Sequence, residues 1–256
     1  MNSIVSNNLL QGRRILVTGA ARGLGYEFAM ALAQAGAQVV MADILADLLG
    51  TAVKGLQDTG MAVSGVVVDL ADPESIKNCA AESVRILGGL DGLVNNAAIT
   101  NSGGKTAMQL DPKVWDQVMT VNVRGTWLMT TACHEALKAS GRGSIVNLAS
   151  DTAMWGAPNL LAYVSSKGAV VSMTRSLARE FGVDNITVNA IAPGLTLVEA
   201  TEYVPEARHR LYHDQRAISR EQSPADVSGA VIFALSDLSR FVTGQLLPVN
   251  GGFVMN

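Results

Sequence analysis

Tyr163 and Lys167 stand four residues apart in a stretch patterned as a helix, so their side chains share one face. An ammonium held near a phenol stabilises the phenolate and lowers its pKa from the usual value of about 10. Such a tyrosine serves as a general acid/base near neutral pH. The same lysine is also a donor for the ribose of a bound nucleotide. Ser150 lies 13 residues before Tyr163, just after the apolar run Ser144–Leu148. Open α/β sheets bind ligands at the carboxyl ends of their strands, and a hydroxyl there donates to a carbonyl oxygen. A Tyr-x-x-x-Lys pair also arises by chance on helix surfaces, so its meaning depends on what accompanies it.

What accompanies it is a glycine-rich turn, Thr18-Gly19-Ala20-Ala21-Arg22-Gly23-Leu24-Gly25, between a short apolar run and a helical pattern. Glycines let the backbone approach a pyrophosphate, and the N-terminus of the following helix offers N–H groups and the positive end of its dipole. A tight strand-to-helix turn without a ligand uses the same residues. Asp43 favours the nucleotide: it ends the second apolar run, 24 residues after Gly19. A carboxylate there accepts hydrogen bonds from an adenosine ribose and repels a 2′-phosphate, which selects NAD over NADP. Arg22 points the other way, since a guanidinium in this loop reaches a phosphate. The other reading of Asp43 is a helix N-cap.

These residues need a sheet to hold them. Candidate strands are Ile15–Thr18, Gln38–Ala42, Val63–Val68, Gly92–Asn95, Ser144–Leu148, Thr187–Ala190 and Gln245–Val249. Candidate helices run near 24–35, 45–59, 73–87, 112–139, 161–181 and 224–236. The alternation predicts right-handed βαβ units in a single-domain Rossmann-type α/β fold, a doubly wound parallel sheet of about seven strands with helices on both faces. Residues 1–12 read as an N-terminal extension and 13–256 as the domain. The charged segment 195–222 interrupts the alternation and is a candidate substrate lid.

The chain has 256 residues and a formal net charge of −3, which suggests neither a nucleic-acid nor an anionic-membrane partner. Hydrophobic residues make up 48% and charged residues 16%, which excludes a disordered chain and hints at apolar surface buried between subunits. Cys79 and Cys133 do not make a disulfide framework. The first ten residues lack a signal-peptide pattern, and no apolar run is long enough to span a bilayer. A cytoplasmic location is expected. His209 and His213 have a zinc-compatible spacing without a third ligand, so no metal is expected.

From Arg13 to Gly252 the chain resembles the short-chain dehydrogenase/reductase family. Thr18–Gly25 is similar to the family's TGxxxGxG, and Asp69-Leu70 to its adenine-contacting segment. Asn95-Asn96-Ala97-Ala98 resembles NNAG, with Ala98 in place of glycine. Asn122, in Val121-Asn122-Val123, resembles the asparagine of a catalytic tetrad with Ser150, Tyr163 and Lys167. The stretch Asn189–Gly194 resembles the one that orients nicotinamide. The resemblance implies cofactor contacts at Gly19, Arg22, Gly23, Leu24, Gly25, Asp43, Asp69, Leu70, Asn96, Ala97, Tyr163, Lys167, Pro193, Gly194 and Thr196. It also implies a homotetramer, and hydride transfer between NAD(H) and a secondary alcohol or ketone. In it Tyr163 exchanges the proton, Ser150 polarises the reacting oxygen, Lys167 tunes the tyrosine, and Asn122 supports a water relay.

Beside Ser150 and Tyr163, the expected walls of the substrate pocket are Trp155, Val198 and Tyr203. Trp155 reads equally as a packing anchor; Val198, Tyr203 and Tyr212 read equally as lid packing. Three rivals stand beside the dehydrogenase. The first is an NADPH-dependent carbonyl or 3-oxoacyl thioester reductase. The second is a nucleotide-sensing regulator without catalysis. The third is an epimerase or dehydratase with a tightly held cofactor, for which the chain is short.

Overall fold

The apolar runs pair side by side into a fully parallel sheet. In the computed structural model, which describes residues 9–202 and 204–255, the strands are β1 (Arg14–Thr18), β2 (Gln38–Asp43), β3 (Val63–Val67), β4 (Gly92–Asn95), β5 (Ser144–Leu148), β6 (Thr187–Pro193) and β7 (Leu246–Val249). Their order is β3-β2-β1-β4-β5-β6-β7. Between them run α1 (Gly23–Gln34), α2 (Ala46–Gln57), α3 (Pro73–Leu87), α4 (Pro112–Met119), α5 (Thr126–Ala139), α6 (Thr152–Trp155), α7 (Leu161–Phe181), α8 (Glu206–Gln215) and α9 (Ala225–Leu235).

Successive strand residues serve opposite faces, so strands covered on both sides must be apolar throughout. Ile15, Val17, Val39 and Met41 pack with Phe28 and Leu32 of α1, Leu49 and Val53 of α2, and Val231 of α9. Their neighbours Leu16, Val40 and Ala42 pack with Ile76 of α3, Met129 and Leu137 of α5, and Leu177 of α7. Apart from Gln38 at the start of β2, the exposed strand positions fall on the edge strands β3 and β7. Truncating one of the fully buried leucines to alanine costs about 2–5 kcal/mol.

Below the sheet, Asp91 precedes β4 and is fully buried between two arginines. Its Oδ2 lies 2.8 Å from Arg14 Nε and its Oδ1 3.0 Å from Arg142 Nε. Burial raises the carboxyl, but the hydrogen bonds from the arginines outweigh it and bring it to about 2. Leu10 is also fully buried, so the end of the 1–12 segment packs into the domain.

The expected helix at 112–139 is interrupted. Between α4 and α5 the chain makes a π-helical turn, Thr120–Gly125. Such widened turns insert one extra residue and redirect side chains. Gly125 fits here because a Cβ would sit 2.7 Å from the Leu70 carbonyl oxygen. Inside 195–222 the chain forms α8, which the sequence pattern did not suggest. A bridge between Thr196 and Gln222 closes the neck of this excursion.

Candidate active site

The strand order reverses between β1 and β4, the point at which a doubly wound sheet opens a crevice above its carboxyl ends. One cleft of about 860 Å³ lies there. Its walls hold Gly19, Arg22, Gly23, Leu24, Gly25, Asp43, Asp69, Leu70, Asn96 and Ala97 at one end. Ser150, Tyr163, Lys167, Pro193, Gly194, Thr196 and Val198 also line it.

Each glycine of the turn has its own reason. Gly19 is left-handed, and a Cβ on it would lie 2.7 Å from Ala97 Cα. A Cβ on Gly25 would lie 2.0 Å from the Gly19 carbonyl oxygen. Gly23 is left-handed as well, but its Cβ direction is open: Val198 Cβ and Glu199 Oε2 come no nearer than 3.7 Å. Arg22 precedes α1 and makes no side-chain capping bond to its first-turn N–H groups. The turn is braced from behind, where Asn96 Nδ2 donates to the Thr18 and Gly19 carbonyls at 3.0 and 3.1 Å. A bare helix N-terminus above a cradle of glycines fits the pyrophosphate of a dinucleotide.

Asp43 does not cap α2. Its Oδ1 accepts from Leu45 N–H, and its Oδ2 accepts from Ala21 N–H in the glycine turn, both at 3.0 Å. The carboxylate thus ties the end of β2 to the turn while lining the cleft. Exposed, apolar Ile44 and Leu45 follow it there. Asp69 Oδ1 accepts from Ala71 N–H at 2.8 Å, holding the loop after β3.

At the other end, α7 carries Tyr163 and Lys167. Lys167 is 4% exposed, and its Nζ donates to the Leu148 carbonyl at 2.6 Å. That Nζ lies 5.6 Å from the centre of the Tyr163 ring. Burial pushes the ammonium down to about 8. Ser150 Oγ accepts from Thr152 Oγ1 at 2.8 Å, which leaves its own proton for a further acceptor. Asn122 sits in the π-helical turn behind these groups and is not on the cleft wall. Its Oδ1 accepts from Ile99 N–H at 2.8 Å, and its Nδ2 donates to the Ile99 carbonyl and to Ser166 Oγ, both at 3.1 Å. It therefore clamps the loop after β4 to α7.

The expected pocket walls are corrected in one place. Trp155 does not line the cleft: its ring packs edge-on to Tyr212 and Phe253, and its Nε1 donates to Tyr212 Oη at 3.3 Å. An indole needs both apolar cover and an acceptor, and α8 with the C-terminal segment provides both. Tyr203 lies outside the described residues. Tyr212 is 2% exposed and donates to Asp151 Oδ1 at 2.7 Å. Asp151 follows Ser150 directly; burial raises its carboxyl to about 7. This Asp151–Tyr212 pair was missed by sequence reasoning, although the acidic residue beside Ser150 was a visible signal. Among the described residues no three His, Cys, Asp or Glu side chains group to hold a metal ion.

A family model described as enoyl-(acyl carrier protein) reductase matches residues 19–254. The chain belongs to the short-chain dehydrogenase/reductase family. It is 34% identical to the 3-oxoacyl-[acyl-carrier-protein] reductase of Thermotoga maritima, over 96% of this chain and 99% of that one. It is 33% identical to the gluconate 5-dehydrogenase of Gluconobacter oxydans, over 96% of each. Among solved structures it is similar to a candidate NAD(P)-dependent gluconate 5-dehydrogenase from Beutenbergia cavernae, which has NADP bound at low occupancy. That match has a TM-score of 0.89 and 35% identity, covering 95% of this chain and 97% of the other. The protein is thus an oxidoreductase of the nicotinamide-binding, Rossmann-type kind, acting on small molecules. Among the described residues no helix is long and apolar enough to cross a membrane.

Proposed function

We propose that this protein interconverts a secondary alcohol and a ketone, with NAD as its nucleotide and Tyr163 as its general acid/base. The observation that carries this reading is the convergence of Ser150, Tyr163 and Lys167 with the glycine turn and Asp43 on one cleft. The turn and the N-terminus of α1 would hold the pyrophosphate, and Asp43 the adenosine ribose. Asp69 and Leu70 would flank the adenine, with Asn96 and Ala97 beside the ribose. Pro193, Gly194 and Thr196 would face the nicotinamide half. The bound nicotinamide supplies the hydride acceptor or donor.

In the oxidative direction the Ser150 hydroxyl donates to the substrate oxygen and fixes it beside Tyr163. The tyrosine phenolate takes the hydroxyl proton. The Lys167 ammonium stabilises that phenolate and would hold the ribose of a bound nucleotide. Asn122 holds the loop and helix that flank these groups and supports proton return through Lys167.

Asp43 supports NAD, and the apolar Ile44 and Leu45 beside it offer no cation to a 2′-phosphate. Arg22, which lines the same end, supports a second reading, an NADPH-dependent carbonyl or 3-oxoacyl thioester reductase. The Thermotoga relative's name and the NADP in the Beutenbergia structure support it too. We read residues 13–256 as one domain with 195–222 as its lid, working in the cytoplasm as a homotetramer. Exposed Phe241, Leu238 and Leu247 near β7, and Trp127 on α5, support burial in an assembly.

The test offers NAD or NADP with a panel of secondary alcohols, cyclic diols and hydroxy acids, and follows the absorbance of reduced nicotinamide. Reduction of NAD is expected. Reduction of NADP alone would turn the assignment to the second reading. NAD binding without turnover of any member would contradict the enzyme reading.

A further inference from the structure

The substrate end of the cleft carries an unusual cation. Arg208, on α8, lines it together with Thr152, Asn159 and Leu160. The guanidinium is held in place rather than left to wander. One amino group donates to the Pro158 carbonyl at 3.0 Å, and its Cζ lies 5.8 Å from the centre of the Trp155 ring. The indole that failed to line the cleft is thus the back-plate on which this arginine rests.

The helix beneath it is fixed as well. Tyr212 stands one turn further along α8, on the same face, and its hydroxyl is bonded to Asp151 next to Ser150. The hydrogen bond joins the lid helix to the end of the strand that presents the catalytic serine. Arg208 is therefore presented at a set place relative to Ser150.

Among the described residues the charges nearby are engaged elsewhere. Asp151 is committed to Tyr212. Glu199 faces Gly23, at the glycine turn. Lys167 is cationic and bonded to a carbonyl. Arg208 forms no ion pair with a carboxylate among the described residues. A guanidinium with one donor used retains a planar edge that matches a carboxylate in a two-point contact. An unpaired cation in a substrate cleft, stacked and hydrogen-bonded into one orientation, is arranged to receive an anion.

We propose that Arg208 is the anion receptor of the substrate end, so that the natural alcohol or ketone carries a carboxylate away from its reacting carbon: a hydroxy acid and its oxo acid. This deepens, and rests on, the hydride-transfer reading above.

The experiment compares the wild type, Arg208→Lys and Arg208→Met on hydroxy acids and their methyl esters, matched in carbon skeleton, with NAD. The wild type prefers the acid. Arg208→Met lowers kcat/KM for the acid roughly 10- to 100-fold, the worth of a charge-assisted contact, and for the ester less than about 3-fold. Arg208→Lys restores part of the difference. Equal losses on acid and ester would mean that Arg208 only steadies the lid, and would overturn the proposal. A wild type that prefers esters or acyl thioesters to acids would overturn it too. If no substrate turns over, the hydride-transfer reading fails, and binding of the acids to the protein with NADH is read by NADH fluorescence. Binding by the wild type but not by Arg208→Met then still supports the receptor, and equal binding overturns it.

Discussion

Removing the Asp43 carboxylate tests the choice of nucleotide. Its two oxygens accept from Ala21 and Leu45 N–H at 3.0 Å and keep further lone pairs for a ribose in the cleft. Two hydrogen bonds from ribose hydroxyls to this anion, which is only 8% exposed in the cleft wall, are worth about 2–3.5 kcal/mol together. Asp43→Ala therefore lowers kcat/KM for NAD roughly 30- to 300-fold, at about 1.4 kcal/mol per tenfold. A 2′-phosphate about 5 Å from the carboxylate meets a repulsion of about 3 kcal/mol at an intermediate dielectric constant, so NADP gains up to roughly 100-fold. The ratio of the two specificity constants then shifts by about a thousandfold or more. The substitution also leaves the Ala21 N–H without its acceptor, at about 1–3 kcal/mol, so a fall in Tm of roughly 2–10 °C accompanies it. Initial rates with each nucleotide, measured well below the new Tm, give the ratio. An unchanged preference would refute the argument that Asp43 selects; a lowered Tm alone would show only its bond to the turn.

Three other perturbations have defined outcomes. Gly25→Ala places a Cβ 2.0 Å from the Gly19 carbonyl, so the turn must move; NAD titration should show binding weakened at least tenfold or so. Lys167→Met removes the cation beside Tyr163; kcat should fall roughly 10²- to 10⁴-fold, and the acid limb of kcat/KM should move toward the ordinary phenol value near 10. Asp151 has its carboxyl raised to about 7 by burial, so its folded form favours the proton. Its contribution is full below the unfolded value of about 4 and is lost as pH rises through about 7. Thermal melts should show that loss in the wild type and a flatter profile in Asp151→Asn, which keeps an acceptor for Tyr212.

The sheet was legible because each of its strands is a short apolar run bounded by a helical pattern, and burial on both faces demands such runs. The glycine turn, Asp43, Ser150, Tyr163 and Lys167 were legible because spacing alone places them at strand ends and on one helix face. What stayed hidden depends on contacts distant in sequence. Helix α8 reads Glu-Ala-Arg-His-Arg-Leu-Tyr-His-Asp-Gln and buries only Tyr212, so it shows no apolar stripe. The π-helical turn at Thr120–Gly125 follows from fitting Gly125 against Leu70 and Asn122 against Ile99, neither of which leaves a periodic signal. Strand β6 runs to Pro193 rather than Ala190 because β7 pairs with it as far as Pro193. Trp155 ends the short helix α6 where a loop was expected between Ser150 and Tyr163, and its partners Tyr212 and Phe253 come from far along the chain.

The central claim is that Tyr163 carries the proton in a hydride transfer, and Tyr163→Phe tests it most directly. The substitution keeps the ring and the helix and removes one hydroxyl. With the best alcohol from the panel, turnover should fall by roughly 10²- to 10⁴-fold while the Kd for NAD stays within about twofold. A Tyr163→Phe protein that reduces NAD at close to the wild-type rate would contradict the account.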